Sequence, residues 1–140
     1  MSAPPVSVKA VLIHDGRVLL LRNERGEWDL PGGRPDPGED FRTALRRETW
    51  EETGLAVEVD EALDESLFEV LPGIFVRIAP FACRLAGDGS VTLSPEHMEL
   101  RWQPVGELGG TIAGYKLPEV YLGAICQAIS QPRPPSARAV

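Results

Sequence analysis

The chain has 140 residues, of which 43% are hydrophobic and 25% charged, and its formal net charge is −7. This length and composition predict one globular domain with a buried core, and the acidic charge argues against broad binding to nucleic acids or anionic membranes. No apolar stretch approaches the roughly 20 residues that cross a bilayer, and no secretory signal is visible, so we expect a cytoplasmic protein. Two cysteines and two histidines argue against a thiolate or imidazole metal cage.

Strand-like patterns dominate the chain. Apolar alternation or short apolar runs predict strands over residues 6–13, 18–21, 27–30, 57–59, 66–71, 74–85 and 99–102. Asp15-Gly16, between the first two strands, is a strong signal for a two-residue hairpin loop. Pro31-Gly32-Gly33 is expected to end the third strand, and Gly87-Asp88-Gly89 is expected to turn the chain after the sixth.

Two segments have helical spacing. Asp40 can cap a helix over Phe41–Thr53, and Gly54 supplies its C-terminal stop. A second helix is expected over Pro118–Ile129, with Pro118 in its first turn. The proline-rich tail at 131–140 is expected to be disordered. One helix between strands and another near the end predict a mixed α/β architecture.

The first predicted helix ends in a concentration of acidic side chains. Its inward stripe starts with apolar residues and continues, at helical spacing, through Glu48 and Glu52, while Glu51 lies close enough to converge with them. Like charges at this spacing repel one another, and they also oppose the helix dipole. Arg47 can pair with Glu51 or reach back to Glu39, but one guanidinium cannot neutralise four acids. Mg²⁺ is the kind of cation that carboxylates, water and substrate phosphates hold together; a solvated acidic surface is the alternative.

The same segment resembles the sequence signature of a known family. Gly33, five residues, Glu39, seven residues and then Arg-Glu-Thr-Trp-Glu-Glu-Thr-Gly-Leu at 47–55 is similar to the Nudix box of the Nudix (MutT-like) hydrolases. That pattern reads G, five positions, E, seven positions, R-E-aliphatic-any-E-E-any-G-aliphatic. Every charged and glycine position matches. The departure is Thr49, where the family has a bulky aliphatic residue, and this affects packing more than metal binding.

The resemblance implies a fold, a reaction and a set of residue roles. The expected fold is an α+β domain over residues 1–130, with a mixed β-sheet sandwiched by helices. The expected reaction is attack of water on a phosphoanhydride with Mg²⁺, for which Mn²⁺ can substitute. The implied metal ligands are Glu48, Glu52, Glu51 (directly or through water) and the Gly33 carbonyl. Glu39 and Arg47 resemble the pair that orients the loop against the helix, and the catalytic candidates are Glu51, Glu52, Glu99 and Arg47.

Several residues other than the fixed positions of the box are candidates for contacts with substrate. Arg22 and Arg34 could each clamp a phosphate through a bidentate contact, or be ordinary surface arginines. Glu99 and Glu96 could supply a further carboxylate to the site, or simply solvate a loop. Trp28, Phe75 and Tyr115 could each stack on a base, although aromatic side chains are more often core residues. His97 is interpreted as structural or exposed in a loop rather than catalytic.

The substrate class is less determined by the sequence than the reaction. Family members that act on ADP-ribose and sugar nucleotides often have a proline about 15 residues beyond the box. Here Pro72 follows Leu55 by 17 residues, which is close to that spacing but does not match it. We therefore favour a nucleoside diphosphate linked to another group, and keep a (d)NTP pyrophosphohydrolase as the alternative. A non-catalytic nucleotide-sensing domain is the alternative of another class. The expected partner is a small nucleotide substrate, and binding to nucleic acid or to a membrane is not expected. Assembly into a homodimer is an open alternative.

Overall fold

The computed structural model describes residues 3–86 and 99–131. The predicted turn at 87–89 and the tail after Gln131 lie outside these ranges. In chain order the elements are β1 (Val6–His14), β2 (Arg17–Arg22), β3 (Trp28–Asp29), β4 (Gly32–Gly33), α1 (Phe41–Thr53), β5 (Val57–Ala62), β6 (Ser66–Leu71), β7 (Ile74–Leu85), β8 (Glu99–Pro104), a 3-10 helix (Val105–Glu107), β9 (Thr111–Ile112), β10 (Tyr115–Lys116) and α2 (Glu119–Ser130). Neither α-helix in this described part is long and apolar enough to span a membrane.

A mixed sheet of eight strands, counted within the described residues, forms the centre of the fold. Its main path is β3-β2-β1-β7-β5, while β4 pairs with β1, β6 with β7, and β8 with β2. β1 and β7 are parallel, with Val6 opposite Arg77 and Leu12 opposite Cys83; β4 joins β1 antiparallel, at Val8 and Lys9. β1 is therefore the strand against which the glycine pair is aligned.

The predicted hairpin and the first helix are confirmed. Asp15 and Gly16 have φ of +50° and +71°, the left-handed pair that a two-residue hairpin loop needs. The Asp40 carboxylate accepts a hydrogen bond from the Thr43 amide at 2.7 Å, and Gly54 leaves α1 with φ +73°. Both helix ends are thus capped, which keeps the acidic last turns helical.

The two helices cover opposite faces of the sheet, which confirms the predicted sandwich. α1 packs on one apolar cluster and α2 on another. The α1 cluster contains Val8, Ala10, Leu12, Leu19, Ala44, Leu45, Leu55, Val57, Ala79, Phe81 and Cys83. The α2 cluster contains Val11, Val18, Leu20, Trp28, Leu30, Leu63, Ile78, Ile112, Leu117, Tyr121, Ala124 and Ile125.

The structure differs from the sequence-based expectation in its shortest elements. Gly32-Gly33 was expected only to end a strand, but it forms the two-residue strand β4. The hairpin of β9 and β10 was not predicted, and β8 continues two residues beyond Trp102. α2 begins at Glu119, with Pro118 at the position before it. Two-residue strands span too few positions to show a periodic pattern, so only tertiary pairing reveals them.

Candidate functional site

The last turns of α1 carry the predicted acidic residues at three different depths. Glu52 is buried, with 7% of its surface exposed, and Glu48 is half-buried, with 21% of its side chain exposed. The Glu51 side chain is 56% exposed. Thr49, on the same inward stripe, is fully buried. The helix therefore aims two carboxylates toward the protein interior rather than leaving all three in solvent.

Strand β4 brings backbone against those two carboxylates. The Gly32 amide donates a hydrogen bond to Glu52 Oε1 at 2.8 Å. A Cβ on Gly33 would lie 2.7 Å from the carboxyl carbon of Glu48, and one on Gly32 would lie 1.9 Å from the Val8 carbonyl oxygen. Gly32 also has φ +145°, a conformation that favours glycine. Both glycines are needed for this close approach of strand and helix.

Arg47 connects the loop before α1 to the acidic residues of the helix. Its Nε and Nη2 donate to the two Glu39 oxygens at 2.9 and 2.8 Å. Its Nη1 donates to Glu48 Oε1 at 3.1 Å and to Glu51 Oε1 at 2.9 Å. Glu39 Oε1 also accepts from the Asp36 amide at 2.8 Å. The structure thus brings Arg47 to Glu39 and Glu51, the two partners expected from the sequence, and also to Glu48.

The carboxylates of the site differ in their electrostatics. Hydrogen bonds from Arg47, with that from the Asp36 amide, lower the pKa of Glu39 to about 2. The hydrogen bond with Glu39 in turn raises the pKa of Arg47 further above its already high ordinary value. Burial raises the pKa of Glu52 to about 8, although the Gly32 amide and the Lys9 charge oppose this change. Glu52 is therefore the carboxylate that most needs an added cation in order to be ionised at neutral pH.

A buried ion pair near Glu52 was missed by the sequence analysis. Lys9 Nζ donates to Asp29 Oδ1 at 3.0 Å and to the Leu30 carbonyl at 3.3 Å, and only 7% of Lys9 is exposed. Burial opposes their charges, but the attraction between them holds the pKa of Asp29 below and that of Lys9 above the ordinary value. The available signal was a lysine inside the apolar run of β1.

The other candidates for contact with substrate are either paired, exposed or outside the described residues. Arg22 lies opposite Glu99 in the β2–β8 pair, its Nε donates to Glu99 Oε1 at 3.0 Å, and its guanidinium lies 4.6 Å from the centre of the Tyr115 ring. Arg34 is exposed in the loop after β4. Phe75 is 42% exposed near the tip of the β6–β7 hairpin. Glu96 and His97 lie outside the described residues.

The expectation that Trp28 contacts substrate is corrected by the structure. Trp28 is fully buried, and its indole N–H donates to the Ile112 carbonyl at 2.8 Å. The edge of its ring packs against Tyr115, with the ring centres 6.1 Å apart. No face of this ring is available to a base, so Trp28 is a core residue that joins β3 to the β9–β10 hairpin.

The residues around Gly32-Gly33 fit a divalent cation such as Mg²⁺. The oxygens gathered at this position belong to the Glu48 and Glu52 carboxylates, and hard cations prefer oxygen ligands of this kind. The glycine cradle leaves no Cβ between the backbone and Glu48, and a cation would favour the ionised form of buried Glu52. Within residues 3–86 and 99–131 no three acidic, histidine or cysteine side chains form a preassembled metal cage. A Mg²⁺ site here would use few protein oxygens and complete its shell with phosphate and water.

A mixed sheet between two helices, with helix carboxylates held against a glycine strand, defines an α+β domain with an acidic site. A family model described as the NUDIX domain matches residues 3–120. The MutT-like protein of Streptomyces ambofaciens is 35% identical over 133 residues, which cover 91% of this chain and 80% of that protein. The mitochondrial ADP-ribose pyrophosphatase of Rattus norvegicus is 37% identical over 71 residues, which cover 51% of this chain and 19% of that protein.

Solved structures agree with the family match. The crystal structure of a MutT protein from Methanosarcina mazei Go1 matches this chain with a TM-score of 0.76 and 30% sequence identity. The match covers 92% of this chain and 96% of the MutT protein chain. This chain belongs to the Nudix family. It is a Nudix pyrophosphohydrolase, as the resemblance of its acidic helix implied.

Proposed function

We propose that this enzyme uses Mg²⁺ to hydrolyse the phosphoanhydride bond of a nucleoside diphosphate that is linked to a second group, as in ADP-ribose or a nucleotide sugar. The observation that carries the proposal is the contact of strand β4 with the acidic helix. The Gly32 amide bonds Glu52, and the Gly33 backbone lies against Glu48. This pairing of backbone and carboxylates supports a role for the segment in holding a metal ion against a phosphate.

The proposed metal ligands are Glu48, Glu52 and the Gly33 carbonyl, with Glu51 adding a direct or water-mediated contact. When bound, Mg²⁺ neutralises charge on the phosphate oxygens and lowers the pKa of a coordinated water, and Mn²⁺ can take its place. Arg47 already holds Glu51 and Glu48 from one side. Its proposed role is to fix the directions of these carboxylates.

The proposed reaction needs no covalent enzyme intermediate. The oxygen of water attacks a phosphorus, the bridging P–O bond breaks, and its electron pair leaves with the departing phosphate. A carboxylate accepts the proton of the water. We propose Glu51, Glu52 or Glu99 for this step. The products are a nucleoside monophosphate and a phosphorylated remainder.

Arg22 and Arg34 are the proposed contacts with the substrate phosphates. Arg34 is exposed directly after the glycine pair, so it can reach a phosphate held there. Arg22 is paired with Glu99 and stacked on Tyr115. A phosphate that competes for Arg22 would loosen this pair and make the Glu99 carboxylate available to the attacking water. Glu96 stays a predicted contact.

A second substrate class has its own support. The relative that matches 91% of this chain is a MutT-like protein, whereas the ADP-ribose pyrophosphatase match covers 51%. We therefore carry (d)NTP pyrophosphohydrolysis as the second candidate. It would release pyrophosphate beside the nucleoside monophosphate. A homodimer and a cytoplasmic location stay predictions.

The proposal is tested by turnover of a nucleotide panel with Mg²⁺, with products separated by chromatography. ADP-ribose, nucleotide sugars and (d)NTPs form its arms, and release of a phosphorylated sugar together with a nucleoside monophosphate supports the favoured class. Glu52→Gln should remove most of the activity, and Glu58→Gln, an exposed site on β5, is the matched control. Tight nucleotide binding by the wild type without any product would contradict the proposed hydrolysis.

A further inference from the structure

We propose that the buried Lys9–Asp29 ion pair positions the Leu30–Gly33 segment against the metal-binding carboxylates. Lys9 and Asp29 do not belong to the Nudix box, and their side chains hydrogen-bond each other and the backbone of Leu30. They would act through Gly32 and Gly33. The inference rests on the proposed function only in that Glu48 and Glu52 are taken as the metal ligands.

The link between β3 and β4 depends on this ion pair for its hydrogen bonds. Leu30 and Pro31 belong to neither strand, yet both are buried. The Leu30 amide donates to Asp29 Oδ1 at 2.8 Å, and the Leu30 carbonyl accepts from Lys9 Nζ at 3.3 Å. The Pro31 carbonyl accepts from the Ala10 amide at 2.8 Å, and proline has no amide hydrogen. The two charged side chains therefore satisfy both backbone groups of Leu30, which a buried segment requires.

The pair also ties the link to both neighbouring layers of the fold. Lys9 lies directly opposite Gly32 in the β1–β4 pair, and its side chain hydrogen-bonds the Leu30 carbonyl two residues before Gly32. Tyr121 of α2 lies beside the pair, with Lys9 Nζ 5.7 Å from the centre of its ring. Movement of the link would require these contacts to break together.

The geometry points to orientation rather than stability as the use of the pair. A buried ion pair contributes little net stability compared with apolar residues of similar volume, because both charges lose their hydration. It does supply directional hydrogen bonds in a site where apolar side chains supply none. The orientation passes along two residues to the Gly32 amide, 2.8 Å from Glu52, and to Gly33, which lies against Glu48.

The test compares Lys9→Met with Arg84→Met. The control removes a remote ion pair, Arg84–Asp60, whose two hydrogen bonds are 2.8 and 2.9 Å long. Three quantities are measured for each folded variant: amide hydrogen exchange in the metal-free protein, affinity for Mg²⁺ alone by calorimetry, and kcat and KM for the best panel substrate. Partners that orient metal ligands typically contribute roughly 10–100-fold to metal affinity or activity.

In Lys9→Met we expect exchange at the Gly32 amide to accelerate at least tenfold relative to Leu12, a residue farther along β1. Mg²⁺ affinity and kcat should fall by roughly 10–100-fold, with KM nearly unchanged because Arg22 and Arg34 are intact. The control should keep wild-type values. Lys9→Arg should recover part of the loss, since it restores a buried cation.

Uniform acceleration of exchange along β1, with wild-type Mg²⁺ affinity and kcat, would show a merely structural role and overturn the proposal. If Lys9→Met does not fold, the double variant Lys9→Met/Asp29→Asn removes the unpaired carboxylate and is measured in the same way. A wild type that binds Mg²⁺ but hydrolyses no panel member would count against the proposed function alone. The exchange and affinity measurements would still decide the role of Lys9.

Discussion

Replacing Glu52 with glutamine should stabilise the metal-free protein at pH 8 and above while removing most of its activity. Glutamine has almost the same volume, and its side-chain carbonyl can still accept the hydrogen bond that the Gly32 amide donates at 2.8 Å. What the substitution removes is a negative charge from a residue that is only 7% exposed. The expected gain in stability is therefore electrostatic.

The size of the gain follows from the pKa of Glu52. Burial raises this pKa from 4.5 to about 8, so the folded protein retains a proton that the unfolded chain loses. The stability that this proton contributes is fully present below pH 4.5 and is lost as the pH rises through about 8. The two pKa values differ by about 3.5, and each pKa unit corresponds to about 1.4 kcal/mol. The gain in the free energy of unfolding therefore has an upper limit of about 5 kcal/mol. Glutamine does not ionise and keeps this stability.

The assay is thermal unfolding from pH 5 to 9 in the presence of a chelator, for the wild type, Glu52→Gln and the control Glu58→Gln. The advantage of Glu52→Gln should grow with pH and level off above about pH 8. Added Mg²⁺ should stabilise the wild type at pH 8 but not this variant. A difference between the two melting temperatures that does not change with pH would refute the reasoning.

Three further predictions concern the neighbouring residues. Thr49→Val should raise the free energy of unfolding by about 1 kcal/mol, because the buried Thr49 hydroxyl has no hydrogen-bond partner among the described residues; a lower midpoint in urea unfolding would contradict this. Gly33→Ala should leave the fold intact but weaken Mg²⁺ binding roughly tenfold or more, since the alanine Cβ would lie 2.7 Å from the Glu48 carboxyl carbon. Calorimetry measures the Mg²⁺ affinity. An unchanged affinity would argue against Glu48 as a ligand. Arg47→Lys should lower kcat by roughly 10–100-fold, because a lysine ammonium lacks the planar fork with which Arg47 bonds three glutamates at once. Steady-state kinetics beside Arg46→Lys tests this, and equal rates would exclude the positioning role.

Local sequence signals were sufficient for the elements that have their own physical determinants. The β1–β2 hairpin follows from Asp15-Gly16, because this pair adopts the left-handed backbone conformation that a two-residue loop needs. The limits of α1 follow from Asp40 and Gly54, whose capping contacts involve residues close in sequence. The spacing of acidic residues on one helix was likewise readable, because it is a property of helical geometry alone.

The residues that decide the environment of the site were not readable in the same way. Tryptophan is a residue type that can stack on a base, so the sequence allowed this role for Trp28. Only its packing beneath the β9–β10 hairpin shows that no ring face is free. The depth of Glu52 depends on β4, which has two residues and no periodic signal. The raised pKa of Glu52 follows from that depth and could not be assigned beforehand.

The sequence by itself determined the family, the acidic helix and the reaction class, because these follow from short-range spacing along the chain. Only the tertiary structure decided which residues from distant parts of the chain come into contact. Lys9 and Asp29 are 20 residues apart, as are Gly32 and Glu52. Their contacts exist because β1, β4 and α1 pack together, and no local pattern contains the information that these elements are neighbours.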